Sequence, residues 1–390
     1  MKRKFLIPIA LLFSVSFISA QENNSELKPY VDFLETQQTT AKDYILDLFK
    51  KYDIVILCER DHREITQYDL ILDILGDKRF TNGVKNAYFE IGNAQYNDTL
   101  NRFLHNPSLT PEEVSKSVMY FQRNSYGAPL WEKSNYSYYI KGVYDINKTL
   151  SNENKINIHG LDIGVKWESA TEEDIRIRDS LVANCRDSIL ADNFIRYFKR
   201  QNTGKAFVVL NYRHAFVKDL FGVENAGRFI ADTYKCRVAN VYLNSFALKR
   251  KGNSPISAMQ DGKWDAAFIK ANKQNIGFDF LNTPFGKDSL DIYHSPNNFT
   301  FSDIFTGFVY YNYFPDLLIV AGIEGYIDDE FAPELMRRYK LEQKVYNNQL
   351  PEINDLKSNY NIVEKVTYKE DTVEFSEAIK AIEDRLQQDK

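Results

Sequence analysis

Glu59 and His62 stand three residues apart in Leu57-Cys-Glu-Arg-Asp-His62, and a carboxylate beside an imidazole can take a proton from water. The same residue types recur along the chain: Glu90 in Phe89-Glu-Ile-Gly-Asn93, His159 with Asp162, and Asn211 with His214 in Asn211-Tyr-Arg-His214. Glu59, His62, Glu90 and His214 also have the ligand types of a divalent metal site, in which His62 would be a ligand and the metal would polarise the water. No Gly-x-Ser-x-Gly occurs, so a serine hydrolase is not supported. Spacing alone also allows a plainer role for the first motif, because Asp61 three before Glu64 is an Asp variant of the helix capping box.

The elements that must position these groups are readable from periodicity. Ile54 to Cys58 is a short apolar run of the kind that fits a buried central strand. Ile65, Tyr68, Ile71 or Leu72, and Leu75 then fall on one helical face, which puts His62 in the first turn of a helix. A helix N-terminus disfavours the imidazolium, so His62 is expected to be neutral. Further strands are predicted at 87–91, ending near Glu90, at 155–163, ending with His159 and Asp162, and at 206–210, running into Asn211 and His214. Parallel strands bring their carboxyl ends to one edge, where ligands of open α/β sheets bind. The four strand ends therefore predict one cleft.

Strand–helix alternation through residue 243 predicts an α/β fold: a mainly parallel, mixed sheet with helices on both faces. Residues 95–150 are tyrosine-rich and read as a helical insertion, with Thr110 as N-cap and Pro111 at the first helical position. Its aromatics are expected chiefly to pack onto the sheet, with a roof over the cleft as the other reading. A long helix is expected over 171–201, with Leu181, Cys185 and Ile189 on its apolar face. A turn is expected at Thr81-Asn-Gly83 and a loop from Lys249 to Asp265. Strands at 277–281 and 308–313 read as antiparallel additions, and charged helices at 331–345 and 375–388 close the chain. His105 and His294 read as surface residues, and His159 as a core histidine.

Met1-Lys-Arg-Lys4, the apolar run from Phe5 to Ala20 and the polar switch at Gln21 describe a secretory signal peptide over 1–20. The run is short of the roughly 20 residues of a spanning helix, and no cysteine follows it for lipid attachment. Residues 21–390 are expected to form a single exported domain, periplasmic or secreted, without membrane association after cleavage. A net charge of −5 without a basic block argues against nucleic acid as a partner. Cys58, Cys185 and Cys236 are an odd number without CxxC spacing, and each is expected buried and reduced.

These motifs together resemble the erythromycin esterase-like proteins and the wider superfamily that includes the Tiki proteases and the ChaN haem-binding proteins. Leu57-Cys-Glu-Arg-Asp-His62 is similar to that family's Gly-Glu-x-x-His signature, with Cys58 where glycine is usual. Phe89-Glu-Ile-Gly-Asn93 is similar to its second strand end, Arg186-Asp-Ser-Ile-Leu-Ala-Asp-Asn193 to its Arg-Asp helix, and Asn211-Tyr-Arg-His214 to its Asn-x-x-His strand end. Asp303-Ile-Phe-Thr-Gly-Phe308 resembles a late segment of exported relatives. The resemblance implies hydrolysis of an ester or amide bond in a small-molecule or peptide substrate. In that reading His62 is the general base, Glu59 or Glu90 orients it or holds the water, and His214 stabilises the oxyanion with help from Arg63 or Arg186. Arg63, Asp162, Arg186 and Asn211 become candidate substrate-binding residues. Two other classes stand beside it: a divalent-metal or haem-binding module, with Tyr96, Tyr136 and Tyr139 nearest to a haem slot, and an exported domain without catalysis.

Overall fold

The computed structural model describes residues 25–389 apart from 202, 221, 249–255 and 293–297; the signal peptide expectation and His294 lie outside the described residues. The chain opens with helices α1 (Lys28–Glu35) and α2 (Ala41–Leu48), the second capped by the Thr40 hydroxyl. Strand β1 (Ile54–Glu59) follows, buried at every position. Helix α3 (Thr66–Gly76) starts later than its apolar face suggests, because the buried Glu64 rather than Asp61 caps it. Glu64 accepts from the backbone N–H of Thr66 at 2.9 Å and of Gln67 at 3.1 Å. His62 thus lies in the turn before the helix, which removes the dipole argument for a neutral ring. The expected turn at 81–83 is instead the end of helix α4 (Lys78–Gly83), started by the Asp77 carboxylate.

Strand β2 (Asn86–Asn93) leads to the insertion, which is three helices: α5 (Asn97–Leu104), α6 (Pro111–Arg123) and α7 (Asn135–Thr149). The predicted start of α6 is present as a full capping box between Thr110 and Glu113. Strand β3 (Asn157–Asp162), the long helix α8 (Glu172–Phe198), strand β4 (Ala206–Asn211), helix α9 (Ala226–Tyr234) and strand β5 (Val238–Leu243) follow in α/β alternation. The hairpin β6 (Phe246–Leu248) and β7 (Ile256–Ala258) then precedes helix α10 (Lys263–Lys270), which replaces part of the loop expected up to Asp265. Strand β8 (Ile276–Asp279), the short helices α11 (Pro284–Lys287) and α12 (Phe301–Ile304), and strand β9 (Gly307–Tyr310) come next. Strand β10 (Leu318–Ala321), helices α13 (Ala332–Tyr346) and α14 (Ile353–Tyr360), strand β11 (Glu364–Thr367) and helix α15 (Ser376–Gln388) end the chain.

Seven strands form one sheet in the order β3-β2-β4-β1-β5-β9-β8. All neighbours are parallel except β8 with β9, so of the two late strands only β8 is an antiparallel addition. The pleat divides β1 between two cores: Ile54, Ile56 and Cys58 pack with α1, α8 and α10, while Val55 and Leu57 pack with α3 and α7. Helices therefore cover both faces, as an all-buried parallel sheet requires. Tyr136, Tyr139 and Tyr144 of the insertion belong to the second core, which is the expected packing role. The cysteines are all unpaired, but Cys185 and Cys236 are exposed, Cys185 because the outer side of α8 faces solvent where an apolar face was expected, and Cys236 in the turn 235–237 before β5. Among the described residues no helix is long and apolar enough to cross a membrane.

Candidate functional site

The four strands that end in the candidate residues are consecutive neighbours in the sheet, so Glu59, Glu90, Asp162 and Asn211 share its carboxyl edge. Glu59 pairs in register with Asn211 across β1 and β4. Cys58 turns its sulfur away from the cleft, donating to the Tyr212 carbonyl at 3.4 Å within the core, so a side chain at the usual glycine position does not obstruct the edge. Beyond Glu90, β2 shifts register against β3 between Phe89 and Asn93. Gly92 makes this possible: its φ is +127°, and a Cβ there would sit 2.9 Å from the Cα of Gly160. Such an irregularity re-aims the neighbouring side chain.

One half of the site is built around His62. Its Nδ1 lies 3.1 Å from Glu59 Oε2, within ion-pair reach but out of line for a good hydrogen bond. Glu59 Oε1 accepts from the Tyr68 hydroxyl, which accepts from Asn135 Nδ2 at 2.8 Å. Asn135 Oδ1 in turn accepts from Trp131 Nε1 at 3.2 Å, and the Trp131 ring meets His62 edge-on with centroids 5.5 Å apart. A closed circuit of five side chains thus fixes the imidazole. Burial pushes the His62 pKa down, but Glu59, Glu90 and Asp61 outweigh it and hold it above the ordinary histidine value. The expectation of an imidazole kept neutral by a helix terminus is corrected accordingly.

The other half is centred on Arg186 of α8. Its guanidinium donates to Glu90 Oε1 at 2.9 Å, to Asp162 Oδ2 at 2.9 Å and to Asp162 Oδ1 at 3.1 Å. A fourth contact joins Nη1 to His214 Nε2 at 3.1 Å. Arginine has no acceptor, so His214 Nε2 accepts, and the neutral ring carries its proton on Nδ1. That proton is donated to Asp187 Oδ1 at 2.6 Å, and Asp187 is held further by Ala226 N–H and Arg213. Burial raises the Glu90 pKa, yet the Arg186 guanidinium, His62 and the Asn211 N–H hold it below the usual carboxylate range. Asp187, opposed by burial but bonded to His214, is likewise brought down to about 2. Both stay ionised at any working pH.

A roof lies over both halves. The segment 124–134 between α6 and α7 places Trp131 against His62 and Tyr126 against Trp131, with centroids 4.8 Å apart. It is held from below and behind by distant elements. Arg178 donates to the Gly127 carbonyl, and Arg338 donates to Arg123 O, Pro129 O and Asn124 Oδ1. The Tyr326 hydroxyl accepts from the Trp131 N–H at 3.0 Å.

Glu59, His62, Glu90 and His214 are thus brought to one edge, joined by Arg186, Asp162 and Asn211, whose amide binds the Glu59 and Arg60 carbonyls. Arg63 is directed elsewhere, to Asp61 at 2.6 Å and Glu374 at 2.8 Å. His159 stacks between Tyr88 and Tyr197 at 4.9 and 5.0 Å, and burial lowers its pKa to about 4. His105 is half-buried against the Ile156 carbonyl rather than on the surface. The residues missed by sequence reasoning are Tyr68, Trp131, Asn135 and Asp187. Asp187 had a signal, since it stands beside Arg186 in the quoted helix.

The donors do not suit a resident metal. Arg186 occupies the space between Glu90, Asp162 and His214, and no group of three His, Cys, Asp or Glu among the described residues is arranged to hold an ion. The haem suggestion fits no better: Tyr139 packs at 3.9 Å on Phe89, Tyr136 is buried beside Gly92, and the Tyr96 hydroxyl is bonded to Glu168.

No protein-family model matches the sequence, and no curated protein does. Among solved structures, the chain is similar to a succinoglycan biosynthesis protein (TM-score 0.48, 12% identity, covering 73% of this chain and 96% of that one). It is similar to a protein from Bacillus cereus (TM-score 0.47, 12% identity, 72% and 96%). It is also similar to a mutant of the erythromycin esterase EreC in its open conformation (TM-score 0.44, 10% identity, 70% and 96%).

Proposed function

We propose that the protein is an exported hydrolase of an ester or amide bond, acting on a small-molecule or peptide substrate in the periplasm or outside the cell. The observation that carries this reading is the circuit that fixes His62 with Nδ1 toward Glu59, at the sheet edge it shares with ionised Glu90. A carboxylate behind an imidazole orients the ring and strengthens it as a base. His62 takes a proton from water, the hydroxyl oxygen attacks the carbonyl carbon, and the proton is handed on to the departing alcohol or amine. Glu90, Arg186 and Asp162 form the fixed charged wall beside the reacting carbonyl, and His214 is locked behind it by Asp187.

The test is a panel of simple ester and amide substrates given to the protein and to His62→Ala. The substitution is expected to lower turnover by roughly 10²–10⁴-fold, the usual contribution of a general base, with the thermal midpoint little changed. Undiminished turnover would remove the reading.

A further inference from the structure

We propose that Tyr126 is a catalytic residue of this site, its hydroxyl donating the hydrogen bond that holds the substrate carbonyl oxygen as water attacks. The inference rests on the hydrolytic reading above and names the group that reading lacks. An attacked carbonyl develops negative charge on oxygen, and a preorganised donor must meet it. The donors first expected there are already committed. Arg186 is spent on Glu90, Asp162 and His214 Nε2, and Arg63 on Asp61 and Glu374. His214 gives its Nδ1 proton to Asp187, Tyr68 gives its proton to Glu59, and Arg60 is buried against Glu64 and Asn244.

Tyr126 is different. Its ring continues the row His62–Trp131–Tyr126, at 5.5 and 4.8 Å between successive centroids, in the segment that carries Trp131 onto His62. Its hydroxyl has no hydrogen-bond partner among the described residues, although Asp162, Glu90 and Arg186 are all close enough to act on it through charge. Burial, followed by Asp162, moves its pKa upward, which keeps the proton that a donor needs. The backbone beside it is fixed by the Arg178 bond to Gly127 O. A rigid, protonated, unspent O–H over the charged wall is what a carbonyl oxygen placed between His62 and that wall would meet.

The chemistry balances without a co-reactant. The water oxygen bonds to the carbonyl carbon, its proton passes to His62, and the carbonyl π pair moves onto the oxygen that Tyr126 hydrogen-bonds. On collapse that pair reforms the carbonyl, the C–O or C–N bond to the leaving group breaks, and His62 returns the proton to the departing atom.

The experiment compares the full chain, Tyr126→Phe and His62→Ala on p-nitrophenyl acetate, with phenylphosphonate binding by calorimetry as a second measurement. Tyr126→Phe is expected to lower kcat by about 10²-fold, as for one lost oxyanion donor, with KM little changed. It is also expected to weaken phenylphosphonate about tenfold, the size of one hydrogen bond to an anion. A full-rate Tyr126→Phe beside a dead His62→Ala overturns the role of Tyr126 and leaves the hydrolytic reading standing. Two full-rate variants overturn both. Should the unsubstituted chain not turn over the probe, calorimetry decides: equal phenylphosphonate binding by it and by Tyr126→Phe, or binding by neither, overturns the proposal.

Discussion

At the scale of single residues, Glu59 sets the proton affinity of His62. Replacing it by Gln keeps the size and an acceptor for Tyr68 but removes the charge. The His62 pKa is expected to fall, because the opposite charge at ion-pair distance that holds it up is gone. Activity that depends on the neutral ring rises with pH through that pKa, so the rising limb of the pH–rate profile should move to lower pH in Glu59→Gln. A histidine titration followed by NMR checks the same shift, and an unmoved limb and titration would reject the assignment. The sign for stability is opposite to that of a carboxylate: a raised His62 pKa stabilises fully below the unfolded value of 6.5 and the contribution is lost as pH rises through the folded value. Glu59, His62, Glu90 and His214 were legible in the sequence because apolar runs that end in a charged or imidazole group mark strand ends. Tyr68, Asn135 and Trp131 were not, because they reach Glu59 and His62 from two helices and a loop whose mutual approach no periodicity encodes.

At the scale of elements, the roof depends on α13, far away in sequence. Arg338 is buried, lies over the rings of Trp167 and Phe331, and supplies bonds to Arg123 and Asn124 at the start of segment 124–134 and to Pro129 at its middle. Arg338→Ala is expected to leave Asn124 Oδ1 and the Arg123 and Pro129 carbonyls without this donor, costing about 1–3 kcal/mol. Amide exchange over residues 124–134 should quicken more than in the strands of the sheet, and Trp131 emission should shift as the ring leaves His62. Unchanged exchange in that segment would show that Arg338 is not its anchor. Long elements with strong patterns, such as α8 and β4, were legible; α10 was hidden because Gly262 starts it at φ +82° inside a polar stretch, and α14 is short with only Leu356 buried.

At the scale of the molecule, strand–helix alternation gave the class, but not the sheet order, because periodicity carries no information about which strands are neighbours. That order places β1 between β4 and β5, with Ile54 paired to Ala206 on one side and Val238 on the other. The consequence is one of time. The apolar segment Ile54–Cys58 leaves the ribosome long before either flanking strand exists, and both its edges wait unpaired. Folding dominated by such distant pairings is slow and passes through species with exposed strand edges. Refolding from denaturant should therefore be limited by partner-strand arrival, with yield falling as protein concentration rises. A yield that is independent of concentration would mean that β1 is sheltered early by α2 and α3 instead. The charged edge of the site would then assemble late, when Ala206–Asn211 pairs with β1 and sets Asn211 beside Glu59.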